Sequence, residues 1–143
     1  MTVEGSVTIE NTLDVQAMAN VCVVTGDVIV AANGMTSISL PLLESVGGDL
    51  VISNNAALIS ISLPVLASAG GVFINSNDAL TSISLPVLAS VGGNVDIQSN
   101  PTLTSISLPV LASVGGSVFI SFNSTLTSCT GALIVNVGDC VQN

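Results

Sequence analysis

Short runs in which two apolar residues flank a third residue recur along the chain, and each of these runs follows a glycine. In the best-formed run Gly116 precedes Val118 and Ile120, with Phe119 between them. Strict alternation over a few residues predicts a β-strand with one buried face, and a glycine pair before it permits the turn into the strand. Inward pairs of this kind occur six times, at Val7/Ile9, Val28/Val30, Leu50/Ile52, Val72/Ile74, Val95/Ile97 and Val118/Ile120.

A second repeated strand carries serine on its outward side. The motif Ser-Ile-Ser-Leu-Pro ends at Pro41, Pro64, Pro86 and Pro109, so it recurs every 22 or 23 residues. A fixed period in the low twenties is typical of a solenoid, in which each coil is one supersecondary unit. We therefore predict a mainly β fold, a right-handed parallel β-solenoid of about six 22–23-residue coils with a short N-terminal capping helix.

The length fits a single solenoid domain over residues 1–143. Residues 1–33 are expected to form the N-terminal cap and first coils, 34–128 the regular repeats, and 129–143 the C-terminal cap. Polar and apolar residues at helical spacing predict a short helix over residues 11–21, with Leu13, Ala17, Met18 and Val21 facing the first coil.

The two caps have their own signals. Asn11 or Thr12 is a suitable N-cap for the predicted helix. At the other end Cys129 replaces the isoleucine of the serine strand, and Cys140 follows eleven residues later. A disulfide between Cys129 and Cys140 would close the open end of the solenoid.

An asparagine follows each alternating strand at intervals of 22 or 23 residues. Buried polar groups in proteins are normally hydrogen-bonded, and a column of asparagines can bond the backbone of neighbouring coils. We therefore predict a structural ladder rather than a binding site. Its expected members are Asn11, Asn33, Asn55, Asn77, Asn100 and Asn123.

Composition excludes several classes of function. The chain has no Lys, Arg, His, Trp or Tyr and nine acidic residues, which gives a formal charge of −9. Binding to nucleic acid or to an anionic bilayer requires Lys and Arg, and most acid–base and nucleophilic mechanisms draw on His, Lys or Tyr. We expect no catalytic residues, no cofactor and no nucleic-acid partner, so the chain is not predicted to be an enzyme.

Mean hydropathy is high, at +0.88, but polar residues interrupt each apolar stretch before the roughly 18 residues that a spanning helix needs. Membrane insertion is therefore not expected. Asp27 and Asp49 occupy the same position in adjacent coils and could share a calcium ion. A solvated acidic edge that opposes aggregation explains them better, so no metal site is predicted.

The outward serines form the first candidate binding face. Stacked coils place equivalent residues about 4.8 Å apart, in columns about 6.8 Å from each other. This flat, uncharged grid resembles the Thr-x-Thr arrays of insect antifreeze solenoids, which implies ice binding; alternatively, serine is simply small and tolerated on a parallel sheet. The first face comprises Thr36, Ser37, Ser39, Ser60, Ser62, Thr81, Ser82, Ser84, Thr104, Ser105, Ser107, Thr127 and Ser128.

The second candidate binding face is the outward side of the alternating strands, where two of the three phenylalanines point away from the core. Exposed aromatic side chains on a rigid sheet often mark a partner-binding or sugar-stacking site. The alternatives are that loops cover them or that they form a subunit contact. Phe122 is expected to fill the C-terminal cap instead. The second face comprises Ile29, Val51, Phe73, Asp96 and Phe119, with Thr8 beginning the column.

Three features resemble the receptor L-domain group of leucine-rich-repeat-like solenoids, found in insulin-type growth-factor receptors, fungal wall proteins and bacterial secreted proteins. They are the helix leading into residues 22–30, the iterated L-x-x-I-x-L-P-x-L-x-x-V-G-G, and the closing cysteine pair. The resemblance implies an extracellular, non-catalytic surface used in recognition or wall architecture.

The expected function is a non-enzymatic extracellular recognition or adhesion module that presents flat solenoid faces to a protein or glycan partner. The alternatives are an ice-binding protein and a self-associating structural component of the cell surface. Cysteines at a cap and the acidic balance favour an oxidising exterior, so we expect a secreted or cell-surface location. The expected oligomeric state is a monomer or a weak sideways homo-oligomer.

Overall fold

A computed structural model of the chain describes residues 1–134 and 137–140 and shows stacked parallel strands wound into a β-solenoid of about six turns. The predicted mainly β solenoid is confirmed; residues 135–136 and 141–143 of the predicted C-terminal cap lie outside the described residues. In chain order the elements are β1 (Thr2–Val3), β2 (Val7–Ile9), α1 (Thr12–Ala17), β3 (Val23–Val24), β4 (Val28–Val30), β5 (Ser37–Ser39), β6 (Ser45–Ser53), β7 (Ser60–Ser62), β8 (Ser68–Asn75), β9 (Ser82–Ser84), β10 (Ser90–Val91), β11 (Val95–Gln98), β12 (Ser105–Ser107), β13 (Ser113–Val114), β14 (Val118–Ser121), β15 (Ser128–Thr130) and the 3-10 turn η1 (Gly138–Cys140).

Ten strands form one parallel sheet along one side of the solenoid. The alternating strands pair in register from coil to coil, so that Val95 of β11 lies opposite Val118 of β14 and Val72 of β8. Their inward side chains, such as Ile97 and Ile120, are buried in one continuous core. Burying a Val or Ile side chain stabilises a fold by about 1.5–3 kcal/mol, and each coil repeats this contribution.

The serine strands form two small sheets and not one continuous sheet. One sheet pairs β5 with β7 and the other pairs β9, β12 and β15. The Leu40 N–H donates to the Ser62 carbonyl at 3.0 Å, but within the described ranges the Leu63 N–H makes no matching bond to Ser84. The sheet divides at the one repeat that is a residue short, with 22 residues from Ser60 to Ser82 instead of 23.

The glycine pairs bring neighbouring coils close together, which differs from their expected role in a turn. Among the glycines that the structure describes, only Gly5, Gly131 and Gly138 have positive φ, and none belongs to a pair. A Cβ on Gly70 would lie 2.5 Å from the Gly48 carbonyl oxygen. The missing side chain therefore permits close approach of the backbones.

The N-terminal helix is shorter than predicted. Helix α1 has six residues, and Asn11 is its N-cap because its Oδ1 accepts the Asp14 N–H at 3.1 Å. Met18 and Val21 follow the helix and are buried, as expected, whereas Leu13, at 73% exposed, and Ala17, also exposed, do not face the coil. Among residues 1–134 and 137–140, no helix is long and apolar enough to cross a membrane.

Candidate functional site

The asparagine ladder contains four of the six predicted residues, and all four are buried. Each accepts the backbone N–H of the preceding coil: Asn77 Oδ1 from Asn55 at 3.2 Å, and Asn100 Oδ1 from Asn77 at 3.1 Å. The side-chain amides donate as well, and Asn123 Nδ2 bonds the Ile97 carbonyl at 2.9 Å. These side chains are used by the fold and are closed to ligands.

Asn11 and Asn33 do not belong to the ladder, so the prediction was wrong for both. The Ala32 N–H donates to Asn55 Oδ1 at 2.7 Å, and Ala32 is buried at the ladder position while Asn33 is exposed. A shift of one residue moves a side chain from the core to solvent, which a 22-residue spacing does not reveal. Asn11 caps α1 instead.

The predicted disulfide is present. Cys129 and Cys140 are bonded, with their Cα atoms 5.7 Å apart. Cys129 lies at the centre of β15, and Cys140 ends η1 and is buried. The bond therefore fixes the C-terminal turn against the last serine strand.

The first face has the predicted arrangement within each of its two sheets. Ser37 lies opposite Ser60, and Ser105 lies opposite both Ser82 and Ser128. None of the serine hydroxyls on this face bonds to another part of the described structure. Because β7 and β9 do not pair with each other, the grid is divided into a two-strand part and a three-strand part.

The threonine column beside the serines differs from them in its hydroxyl contacts. Thr104 Oγ1 donates to the Thr81 carbonyl at 3.0 Å, and Thr81 and Thr127 donate to preceding coils at 3.3 Å. These bonds use the hydroxyl within the fold. The serine columns are thus the part of the first face whose hydroxyls are open to a ligand.

A groove of about 420 Å³ lies where α1 meets the first serine strand. None of its lining side chains is titratable, so a ligand there would be held by shape and by neutral polar contacts. The lining residues are Thr12, Val15, Gly34, Met35, Thr36, Ser37 and Ser39.

The second face carries one continuous row of side chains, in register across six coils. Phe119 is 48% exposed, whereas Phe73 and Asp96 are half-buried. The Phe73 ring folds back over Gly71, with Cε2 2.7 Å from the position that a Cβ would take there. The Phe73 side chain is therefore less exposed to solvent than its outward position predicts. The row is Thr8, Ile29, Val51, Phe73, Asp96 and Phe119.

Asp96 lies between the two aromatic residues of this row, opposite Phe73 on one side and Phe119 on the other. Its Oδ1 is buried and has no hydrogen-bond partner among the described residues. Leaving a buried acceptor unpaired costs about 1–3 kcal/mol, so such an atom calls for an explanation. Asp96 is thus a carboxylate on this face that the fold itself does not satisfy.

One member of the acidic pair on the same face, Asp27, has a structural contact. Asp27 Oδ1 accepts the Asp49 N–H at 2.7 Å, and Asn94 Oδ1 accepts the Ser117 N–H at 2.8 Å in the later coils. This column links coils in the same way as the inner ladder. The contact with the backbone accounts for Asp27 without an ion.

A third surface, which sequence reasoning missed, runs along the corner after the prolines. Five apolar side chains, one per coil, are between 37% and 49% exposed and form what we call the corner ridge. The sequence contains a signal for it: in four coils an apolar residue stands between the proline and the next buried leucine. In the last coil Leu133 stands in the same way between Ala132 and Ile134. The corner ridge comprises Leu42, Val65, Val87, Val110 and Leu133.

Phe122 does not fill the C-terminal cap as predicted. It is 74% exposed and has φ of 58°. The equivalent residues Asn54, Ser76 and Ser99 share this left-handed conformation, which is unfavourable for a bulky side chain. The backbone of the repeat, rather than packing of the ring, fixes the position of Phe122.

Comparisons of the chain with profiles of protein families, with curated proteins and with solved structures gave no match in any of the three. The resemblance to receptor L domains therefore stays an expectation that rests on the repeat residues alone.

Proposed function

We propose that the chain is a non-enzymatic recognition or adhesion module that acts outside the cell and binds a protein or glycan partner through the second face. The observation that carries the proposal is the in-register row of Phe73, Asp96 and Phe119, in which a carboxylate oxygen without a partner lies between two aromatic residues. Exposed aromatic surface combined with an unsatisfied polar group is typical of a binding site.

The scaffold supports this role because the row is held rigidly. β11 is paired along its length with β8 on one side and β14 on the other. The backbone of a paired strand is already ordered before a partner binds, so less binding energy is spent on ordering it. A flat parallel sheet is thus a suitable platform for recognition.

The disulfide supports an extracellular location. Disulfides persist in oxidising environments and are rare in reducing ones. The Cys129–Cys140 bond closes the C-terminal end of the solenoid, where an open core would otherwise meet solvent. Secretion, or attachment at the cell surface, is the location this favours.

The test is binding of the purified protein to arrays of glycans and of extracellular proteins. We expect Phe119→Ala to lose at least tenfold in affinity for any partner found, since interface aromatic residues often contribute more than about 1.4 kcal/mol. Phe122→Asn is the matched control, because it removes an exposed aromatic residue outside the row. Equal affinity of Phe119→Ala and the unchanged protein would overturn the proposal.

Ice binding is the second candidate, favoured by the unused serine hydroxyls of the first face. Thermal hysteresis and ice-crystal shaping test it directly, with Ser82→Tyr and Ser105→Tyr expected to abolish any activity. Ser124→Tyr, at an exposed turn, is the control. Round crystal growth by the unchanged protein would eliminate this candidate, and the division of the grid between β7 and β9 counts against it.

A further inference from the structure

Asp96 has no positive charge within the chain to balance it. The sequence contains no Lys, Arg or His and carries a formal charge of −9. The amino group of Met1 donates to the Asn20 carbonyl at 3.1 Å, at the far end of the solenoid. Asp27 and Asp49 add negative charge to the same face. Any counter-charge for Asp96 therefore comes from outside the molecule.

The strand spacing places Phe119 beside a cation above Asp96, while the Phe73 ring lies over Gly71 on the other side of the site. Neighbouring parallel strands lie about 4.8 Å apart, so a group above β11 is about 5 Å from the strands that carry Phe73 and Phe119. A cation is attracted to an aromatic face within about 6 Å of the ring centre. The row thus combines a carboxylate with an aromatic residue on either side.

We infer that this row is a site for an alkylammonium group, provided by a lysine side chain of a protein partner. The inference rests on the proposed function, because it names the ligand of the same face. Asp96 Oδ1 is buried, so an ammonium group would donate to Oδ2, which has no hydrogen-bond partner within the described residues. An ionised carboxylate only accepts hydrogen bonds, and an ammonium group offers three donors with the opposite charge. The aliphatic part of lysine packs along apolar surface, which Val51 and the two phenylalanines supply.

Other ligand classes fit the row less well. A calcium ion takes six to eight oxygen ligands, and within residues 1–134 and 137–140 no three His, Cys, Asp or Glu side chains come together. Arginine is favoured where both carboxylate oxygens are open to its planar fork, but Asp96 Oδ1 is buried. A neutral sugar supplies donors and leaves the charge unbalanced.

The test is a titration of ¹⁵N-labelled protein with the peptide acetyl-Gly-Lys-Gly-amide, followed by NMR. The matched peptide contains norleucine, which has the side chain of lysine without the ammonium group. We expect the lysine peptide to shift the amide resonances of β11 and β14 and the norleucine peptide to leave them unchanged. Asp96→Asn and Phe119→Leu should each weaken binding about two- to fivefold.

Two control variants separate this site from general attraction to an acidic protein. Asp78→Asn removes the same unit of charge from an exposed turn, and Phe122→Asn removes an aromatic residue outside the row; both should bind the lysine peptide unchanged. An equal loss in Asp78→Asn and Asp96→Asn overturns the inference, as does an absence of shifts with the lysine peptide.

The same titration with cellohexaose distinguishes the two proposals. If the neutral oligosaccharide shifts the amides of β11 and β14 and the lysine peptide does not, the second face is a recognition surface and the assigned ligand class is wrong. If array partners bind Phe119→Ala with full affinity, the proposed function fails whatever the peptide does.

Discussion

Asp139 accepts two hydrogen bonds from Asn123, one from its backbone N–H at 2.7 Å and one from its side-chain Nδ2 at 3.2 Å. In the preceding coils an asparagine Oδ1 accepts the corresponding bonds, as Asn123 does from Asn100 at 3.0 Å. A carboxylate has no donor of its own that needs a partner. Asp139 therefore ends the ladder without leaving an unpaired amide.

Removal of this acceptor should destabilise the C-terminal end. We expect Asp139→Ala to lower the free energy of unfolding by about 1–3 kcal/mol, because the buried N–H of Asn123 loses its partner. Urea denaturation measures the change. Asp78→Ala is the matched control, since it removes an exposed acidic residue; a similar loss in both variants would show that the ladder bond is not responsible.

The same glycine-to-alanine substitution is expected to change stability in opposite directions in two adjacent coils. A Cβ on Gly115 would collide with the Gly92 carbonyl oxygen, whereas the nearest atom to a Cβ on Gly92 is 3.6 Å away. Gly115→Ala should lower the free energy of unfolding by about 1–3 kcal/mol through overpacking. Gly92→Ala should stabilise by about 0.4–1 kcal/mol, because alanine restricts the unfolded chain. Thermal denaturation that ranks the two variants the other way would contradict this account.

Phe122 offers a stabilising substitution. Its left-handed backbone costs a bulky residue about 1–2 kcal/mol, and Asn54 shows the residue type that suits the same position. Since the ring is largely exposed, Phe122→Asn should raise the free energy of unfolding by about 1 kcal/mol. Chemical denaturation checks this. A lower stability would mean that the ring makes contacts worth more than the backbone strain.

The corner ridge predicts self-association that depends on salt. Like charges on two copies oppose association, and salt screens that repulsion, while the ridge carries no charge. We expect light scattering at high protein concentration to show a larger mass at high ionic strength than at low. Replacing Val87 and Val110 with serine should keep the protein monomeric in both. A mass that does not change with salt would argue against the ridge as a contact.

The parts of the fold that follow from periodicity could be predicted from the sequence. Val118 and Ile120 face the core because alternation leaves no other arrangement for their strand. Cys129 could be placed on a serine strand because it stands where isoleucine does in other coils. The asparagine ladder was predictable where the spacing and the inward position agree, as at Asn77.

The predictions that were wrong concern features that depend on single-residue register and on side-chain packing. Asn33 keeps the asparagine spacing, yet Ala32 is the buried residue, because the turn after Val30 is one residue shorter than the equivalent turn after Ile52. The position of the Phe73 ring depends on the space above Gly71, which no pattern in the sequence describes. The corner ridge does not follow from alternation, because its residues lie in turns between the strands.

The inner ladder has a direction, from the Ala32 N–H at one end to the Asp139 carboxylate at the other, with identical steps between. Further coils inserted between Asn55 and Asn123 would need no new chemistry at either end. Each added coil would lengthen the protein by about 4.8 Å and add one side chain to every outward column. The number of equivalent contacts along a column therefore increases with the number of coils. A weak contact repeated in this way gives higher avidity without any change in the contact itself.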